Sequence, residues 1–375
     1  MKKQDLIKGS KRIVIKVGSA LLIDKDTGKL KKKWLESLAF DIKHFVKSGK
    51  EILLVSSGSI ALGKKQLNLS NNLSLDEKQA AAATGQITLA HAWSEYLGNY
   101  DLKVAQILLA PDDTETRRKH LNARATLIKL IELNVIPVIN ENDTVATEEI
   151  RFGDNDRLAS RVAQMCSADL LILLSDINGL YSSDPSIDKD ASLIETITEI
   201  TNEVEQMAGP PNNGISSGGM ITKIEAAKIA TKAGCHMIIC DGRLENPLLN
   251  LQENKSVFSW FLATEKPINA RKQWISGGLH IKGQIIIDKG AFKAVTKGNS
   301  ILAAGIIGTE GNYEKGDLIR VLDENKKIIG KGLIHFNNSE VNLIKGFKSE
   351  NIEVILGYRG KDEVVHRDDF VLENY

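Results

Sequence analysis

Residues 13–19 read Ile13-Val14-Ile15-Lys16-Val17-Gly18-Ser19, an apolar run broken by one lysine and closed by a glycine and a hydroxyl. A strand with one wet face alternates apolar and polar residues. A run that does not alternate suits a strand buried on both faces of a parallel sheet. Similar runs recur at Ile52–Val55, Val104–Leu109, Val135–Ile139, Leu170–Leu174 and Met237–Ile239. Between them lie helical periodicities at Trp34–Val46, Glu77–Leu97, Leu121–Leu133 and Thr222–Lys232. Alternating strand and helix predicts an α/β fold with an open, mainly parallel sheet sandwiched by helices. Gly49 and Gly234 stand just past helical patterns, where a left-handed residue closes a helix.

The chain has 375 residues, room for two or three domains at about 150 residues each. All seven prolines lie at or before Pro267, and texture changes there. Thr264-Glu265-Lys266-Pro267 opens a charged stretch, read as a linker over 265–276. This divides the chain into a first domain, 1–264, and a second, 277–375. The later part offers short strand candidates at Ile281–Asp288, Leu318–Leu322, Lys327–Lys331, Val341–Ile344 and Val364–Val365. With turns at Gly277-Gly278, Gly298-Asn299 and Asp323-Glu324-Asn325, it predicts a small barrel-like β domain.

Charge is balanced, with 49 Lys+Arg against 48 Asp+Glu, which argues against a dedicated nucleic-acid coat. The last 105 residues carry 16 Lys+Arg and 14 Asp+Glu with no basic run longer than two. RNA binding by the second domain is therefore not the expected role. Cys166, Cys235 and Cys240 are too few and scattered for a disulfide framework and read as buried small hydrophobes. No apolar run approaches membrane-spanning length, and the basic Met1–Lys11 segment lacks the apolar stretch of a secretory signal. A cytoplasmic protein with no membrane partner is expected.

In open α/β sheets ligands bind beyond the carboxyl ends of the strands. The residues following the runs are Lys16-Val17-Gly18-Ser19, Ser56-Ser57-Gly58-Ser59, Asn140-Glu141-Asn142-Asp143 and Ser175-Asp176. Gly153-Asp154-Asn155-Asp156 leads into a helical pattern, and Ser216-Ser217-Gly218-Gly219-Met220-Ile221-Thr222-Lys223 opens the last helix of the first domain. Glycine-rich turns before helices suit phosphate, because the backbone approaches closely and free N–H groups point at the anion. A lysine early in a helix opposes the helix dipole, so Lys223 makes sense beside a phosphate; Lys16, at a strand's end in an apolar run, is its counterpart.

Gly58 to Lys64 has the Gly-x4-Gly-Lys spacing of a P-loop, but Lys65 stands where Ser or Thr must hold Mg²⁺, and Gly63-Lys64 reads as the end of a short helix. His366-Arg367-Asp368 resembles a kinase catalytic triplet without its following Asn. There is no zinc-spaced cluster, so no protein-held metal is expected, and no Gly-x-Ser-x-Gly elbow. Phosphoryl transfer to a carboxylate needs none of these. An acceptor with pKa ~4.3 is ionised at neutral pH, and catalysis reduces to positioning and charge neutralisation.

The ordered set Lys16-Val-Gly-Ser, Ser56-Ser-Gly-Ser, Pro137-Val-Ile-Asn-Glu-Asn-Asp, Gly153-Asp-Asn-Asp, Ser175-Asp and Gly218-Gly-Met-x-Thr-Lys223, with the ending Ile355-Leu-Gly-Tyr and His366-Arg-Asp-Asp, resembles the glutamate 5-kinase family essentially end to end. The resemblance implies an amino-acid-kinase domain followed by a PUA domain, and ATP-dependent phosphorylation of the γ-carboxyl of L-glutamate at the start of proline biosynthesis. It implies that Lys16 and Lys223 neutralise the transferring group and that Asp156 orients both. Ser57, Asp143 and Asn155 would bind glutamate, with Asn140 and Asp154 close by. Ser175, Asp176 and the stretch Ser217, Gly218, Gly219, Met220, Ile221, Thr222, Lys223 would hold ATP, with Lys16, Gly18 and Gly58 at its phosphates. Mg²⁺ would be held mainly by nucleotide phosphates and water. Feedback inhibition by proline, a homo-oligomer (dimer or tetramer) and hand-over to the glutamyl phosphate reductase also follow from the resemblance. Ser19, Ser175 and Ser217 stand where the family often has Thr, Ala20 lacks a hydroxyl often seen there, and Ser59 replaces a usual Ala. An acceptor such as acetylglutamate, aspartate, carbamate or a nucleoside monophosphate would keep the fold; the Asn140-Glu-Asn-Asp and Gly153-Asp-Asn-Asp pair favours free glutamate.

Overall fold

Each of the six apolar runs of the first part forms a strand in the computed structural model, which describes residues 3–70, 72–145, 155–209, 219–277 and 280–373. The chain divides into two compact units, Met1–Pro267 and Ile268–Tyr375.

The first unit runs α1 (Lys3–Gly9), β1 (Arg12–Val17), α2 (Ser19–Leu22), α3 (Lys32–Lys47), β2 (Glu51–Ser56), α4 (Ser59–Gln66), α5 (Leu75–Gly98), β3 (Lys103–Leu109), α6 (Pro111–Glu115), α7 (Arg117–Glu132) and β4 (Val135–Glu141). After a 3₁₀ turn at Asp143–Val145 come α8 (Asn155–Cys166), β5 (Leu170–Ser175), the hairpin β6 (Leu180–Tyr181) and β7 (Leu193–Ile194), β8 (Thr196–Ile197), α9 (Asn202–Gln206), α10 (Met220–Lys232), β9 (His236–Asp241), α11 (Pro247–Gln252) and β10 (Phe258–Phe261). Eight strands form one sheet in the order β3-β4-β2-β1-β5-β9-β10-β8. Its pairs are parallel except β9 with β10. Strand order reverses at β1, which pairs with β2 on one side and β5 on the other, so a ligand crevice opens beyond its carboxyl end.

Period-two alternation sends each strand's residues to two cores. Ile13, Ile15 and Val17 pack with Leu35, Leu38 and Phe45 of α3 and Leu89 and Trp93 of α5. Val14 packs with Leu158, Ala159 and Val162 of α8 and Ala226, Ala227 and Ala230 of α10. Lys16 has the parity of Val14, and therefore lies on the α8/α10 face at the last step of β1. Asn140 has the parity of Ile136 and Val138, and faces α5. Gly49 and Gly234 take φ of +84° and +78°, as the helix-closing reading requires. All three cysteines are buried, and burial pushes the Cys240 thiol up to about 12, which keeps it unreactive.

Gly63 does not end α4. It sits inside that helix, where α4 crosses α5 so closely that a β-carbon would lie 1.7 Å from the Ala81 carbonyl oxygen, and one on Gly85 would lie 1.9 Å from that of Ser59. Gly63→Ala is expected to destabilise the fold by about 3 kcal/mol or more, because backbone stands in the way and cannot swing aside. A thermal melt checks this; an unchanged midpoint would show that the helices can separate at little cost.

In the second unit, α12 (Pro267–Gly277) precedes β11 (Ile281–Ile287), α13 (Lys289–Thr296), β12 (Ile301–Leu302), β13 (Ile306–Gly311), β14 (Leu318–Leu322), β15 (Ile328–Ile334), α14 (Asn338–Ile344), α15 (Ile352–Leu356) and β16 (Glu363–Leu372). The strands form a curled sheet in the order β12-β16-β15-β14-β11-β13 around an apolar core of Ile285, Val321, Phe336 and Val364. The division between the units falls within residues 265–276, the stretch read as a linker, which holds most of α12; its buried Arg271 donates from Nε to Asp369 Oδ1 at 3.0 Å. One expectation needs correction. Val341–Ile344, read as a strand, is the end of α14. Asn337 and Glu340 there close a reciprocal capping box, whose helix start overrides the strand character of Val341, Leu343 and Ile344.

Candidate active site

Asp156 is completely buried in the first turn of α8. Its Oδ1 lies 2.6 Å from Lys16 Nζ and its Oδ2 2.9 Å from Lys223 Nζ. Both lysines are themselves more than nine-tenths buried. Burial by itself would raise the Asp156 carboxyl; the two ammonium groups outweigh it and hold the group well below the ordinary carboxylate range. The negative charge at the start of α8 also has the sign that helix N-terminus favours. Other buried carboxylates have other work. Asp41, on α3, accepts from the backbone N–H of Leu248 at 2.8 Å and so caps α11, and Asp369 serves Arg271.

The bridge joins the carboxyl end of β1 to the first turns of α8 and α10, two helices that pack against each other over the β1–β5 face. One buried anion against two cations leaves a net positive charge at the strand ends. Gly18 follows directly, and a β-carbon there would stand 3.9 Å from Lys16 Nζ. Gly58 begins α4 with φ +114°, a backbone that a side chain would strain.

Asn155, which precedes Asp156 on α8, begins a hydrogen-bonded polar cluster. Asn155 Nδ2 donates to Ser57 Oγ at 2.7 Å, to Asn140 Oδ1 at 2.9 Å and to the Ser56 carbonyl at 3.2 Å. Asn140 Nδ2 donates to Gln86 Oε1 at 2.8 Å and to Ser59 Oγ at 3.3 Å. Ser59 Oγ donates to Asp143 Oδ2 at 3.4 Å. Beneath it, Trp93 Nε1 donates to Ser56 Oγ at 2.9 Å and fixes the end of β2. On the other side of β1, Ser175 ends β5, buried, with its hydroxyl 3.3 Å from Asp176 Oδ1, and Asp176 is exposed.

The model of the amino acid kinase family matches residues 11–241, and that of the PUA domain matches residues 283–356. A glutamate 5-kinase of Paramagnetospirillum magneticum is 50% identical over 97% of this chain and 98% of its own length. One of Agrobacterium fabrum is 52% identical over 96% of this chain and 92% of its own. The chain belongs to the glutamate 5-kinase family. Among solved structures, a carbamate kinase from Giardia lamblia bound to AMP-PNP covers 68% of this chain and 99% of its own at 18% identity, with a TM-score of 0.49.

Read as a glutamate 5-kinase family member, the chain brings Lys16, Lys223 and Asp156 into direct contact, and Ser57, Asn140 and Asn155 into one hydrogen-bonded group reached through Ser59 from Asp143. Gly219 begins α10 in extended backbone, followed by half-buried Met220, Ile221 and Thr222, with Thr222 Oγ1 donating to the Gly219 carbonyl at 2.8 Å. Asp154, Ser217 and Gly218 lie outside the described residues. Sequence reasoning did not single out Gln86, and it quoted Ser59 in the turn after the second strand and as a departure from the family without giving it a role. Gln86 hides in a long helical pattern that reads as packing. Its signal is its place beside Gly85, a helix-crossing glycine.

Proposed function

We propose that the chain transfers the γ-phosphoryl group of ATP to the γ-carboxylate of free L-glutamate, forming L-glutamyl 5-phosphate, the first step of proline biosynthesis. The observation that carries this reading is the near end-to-end identity of about one half with curated glutamate 5-kinases. The geometry supports the chemistry. Lys16 and Lys223 meet the charge that develops on the transferring group, and Asp156 holds both in place. The acceptor carboxylate is already ionised, so no general base is needed, and the site is built for positioning. Ser57, Asn140, Asp143, Asp154 and Asn155 take glutamate, and the Asp143 carboxylate offers its ammonium a charge-assisted partner. Ser175 and Asp176, with Ser217, Gly218, Gly219, Met220, Ile221 and Thr222, hold the nucleotide, and Gly18 and Gly58 let its phosphates approach the backbone.

Among the described residues no three His, Cys, Asp or Glu side chains gather as an ion cage. The charged groups at the reacting end are mostly cationic, which suits a polyphosphate and leaves Mg²⁺ to phosphate oxygens and water. When bound with ATP, Mg²⁺ supplies further neutralisation of the phosphate charge. Among the described residues no helix is long and apolar enough to cross a membrane, and a biosynthetic kinase of this class fits a cytoplasmic setting. A homo-oligomer and hand-over of the labile acyl phosphate to a reductase belong to the same reading.

ADP release with a panel of acceptors tests the proposal. Glutamate should be turned over, and N-acetylglutamate, aspartate, carbamate and UMP should not; a preference for any of these would overturn it. Asp143→Ala is expected to raise KM for glutamate by roughly ten-fold or more, the scale of one lost charge-assisted bond, and to leave KM for ATP little changed. A defect first seen in ATP affinity would remove Asp143 from the acceptor site.

Proline shares glutamate's α-carboxylate and cationic nitrogen but lacks the γ-carboxylate. It can occupy the acceptor's polar groups and leave the phosphoryl position empty, and ligands that share contacts weaken each other reciprocally. Proline is therefore expected to raise the apparent KM for glutamate, with relief by excess glutamate. By resemblance to the family, the segment Thr147–Asp156 touches both ligands; of it, Asn155 and Asp156 are among the described residues. Inhibition measured at several fixed glutamate concentrations decides; inhibition that glutamate cannot relieve places proline elsewhere.

A further inference from the structure

We infer that Gln86, on α5, is a positioning residue that holds the amides of the acceptor site in place, acting through Asn140 and Asn155. The inference rests on the proposed glutamate site and extends it to a helix that no motif marks.

Two backbone groups fix the polarity of the cluster. The Glu141 N–H can only donate, and it donates to Asn140 Oδ1 at 2.9 Å. The Ser56 carbonyl can only accept, and it receives Asn155 Nδ2. Asn140 must then turn its Nδ2 toward α4 and α5, where it meets Ser59 Oγ and Gln86 Oε1. Its Oδ1 is left facing Asn155 Nδ2. The bonds run head to tail from Asn155 through Asn140 to Gln86, and through Ser59 to Asp143, so each donor supports the next.

The consequence is chemical. Asn155 spends its Nδ2 on Ser56, Ser57 and Asn140, and none of these bonds uses its Oδ1. With the Asp143 carboxylate, that oxygen gives the cluster acceptors suited to an ammonium. Lys16 and Lys223 supply cations suited to a phosphoryl group. A free amino acid with a side-chain carboxylate answers both. Acylating the nitrogen would bring an amide where an ammonium is wanted.

Gln86 is more than nine-tenths buried, so nothing from bulk water replaces its oxygen readily. Without that acceptor Asn140 loses its 2.8 Å partner, so its side chain, and the Asn155 amide bonded to it, are held less firmly in place. The Gly63/Gly85 crossing of α4 and α5 holds Ser59 and Gln86 at one level, which ties the helix pair to the same task.

The test compares Gln86→Met and Gln86→Glu with the parent, reading kcat, KM for glutamate, KM for ATP and the melting midpoint of the full chain. Met keeps the volume and removes the acceptor. Glu keeps an acceptor oxygen in either protonation state. Gln86→Met should raise KM for glutamate roughly ten-fold or more at nearly unchanged KM for ATP, and Gln86→Glu should recover most of that loss. A Gln86 that only fills space gives the reverse order, and that result overturns the inference, as does an unchanged KM in Gln86→Met. If Gln86→Met does not fold, Gln86→Leu takes its place: a rise in KM for glutamate that Gln86→Glu does not share supports the inference, and an unchanged KM defeats it. A parent enzyme that does not turn over glutamate defeats the functional reading itself; an active parent with an unaffected Gln86→Met defeats only the inference.

Discussion

Lys16→Ala and Lys223→Ala are each expected to lower kcat by about 10²–10³, the scale for losing one preorganised charge donor in a dry site. Both ammonium groups are already held, by opposite oxygens of one carboxylate, before any substrate arrives. Nothing must reorganise when charge moves onto the transferring phosphoryl oxygens. The loss should therefore fall mainly on kcat, with a smaller rise in KM for ATP. Lys64→Ala is the control. Lys64 occupies the last turn of α4, and the P-loop spacing it completes is accidental, so its removal should be nearly silent. Near-normal kcat in either folded Lys16 or Lys223 variant would remove that lysine from the transition state.

Asp156→Asn is expected to cost stability as well as activity. The substitution keeps the shape and removes the one charge that neutralises two buried cations, and leaving buried charge unpaired costs about 3–5 kcal/mol. The pH dependence has a definite sign. The folded carboxyl of Asp156 lies below its unfolded value of ~3.9, so its contribution is fully present above that pH and is lost as pH falls through the folded value. The stability gap between parent and Asp156→Asn should be constant from neutral pH down to about 5 and shrink in stronger acid. Urea unfolding at a series of pH values measures it. A gap that is absent at neutral pH, or that widens in acid, would show that Asp156 is not the ionised centre of the bridge.

How much of this was legible in the sequence depended on how local each signal was. The core strands were legible because burial on both faces leaves unbroken apolar runs such as Leu170–Leu174. Lys16 stood out because a charge inside such a run has no ordinary place, and Lys223 because it opposes its helix dipole. Their meeting on Asp156 was not written in spacing. It depends on the parity of β1 and on α8 packing beside α10, which arise only in three dimensions; the family resemblance supplied it. Gln86 was invisible because a buried polar residue in a long helix has no periodic mark until its partner strand is placed. Val341–Ile344 was misread because a stretch of four residues is too short to show a period, and the capping box before it is the stronger local signal. Arg271 lay in a stretch read as a linker from its charges, yet that charge is what anchors α12 to Asp369.

The account's central claim is that the two-lysine end of this site places a phosphoryl group on the γ-carboxylate of free glutamate. Its most direct test is to run the enzyme with ATP, Mg²⁺, glutamate and hydroxylamine, and to identify the trapped product by mass and by comparison with authentic hydroxamates. The account predicts γ-glutamyl hydroxamate, formed in proportion to ADP, dependent on glutamate, and nearly abolished in Lys16→Ala. ADP release without hydroxamate, or a hydroxamate formed equally well from N-acetylglutamate, would contradict it.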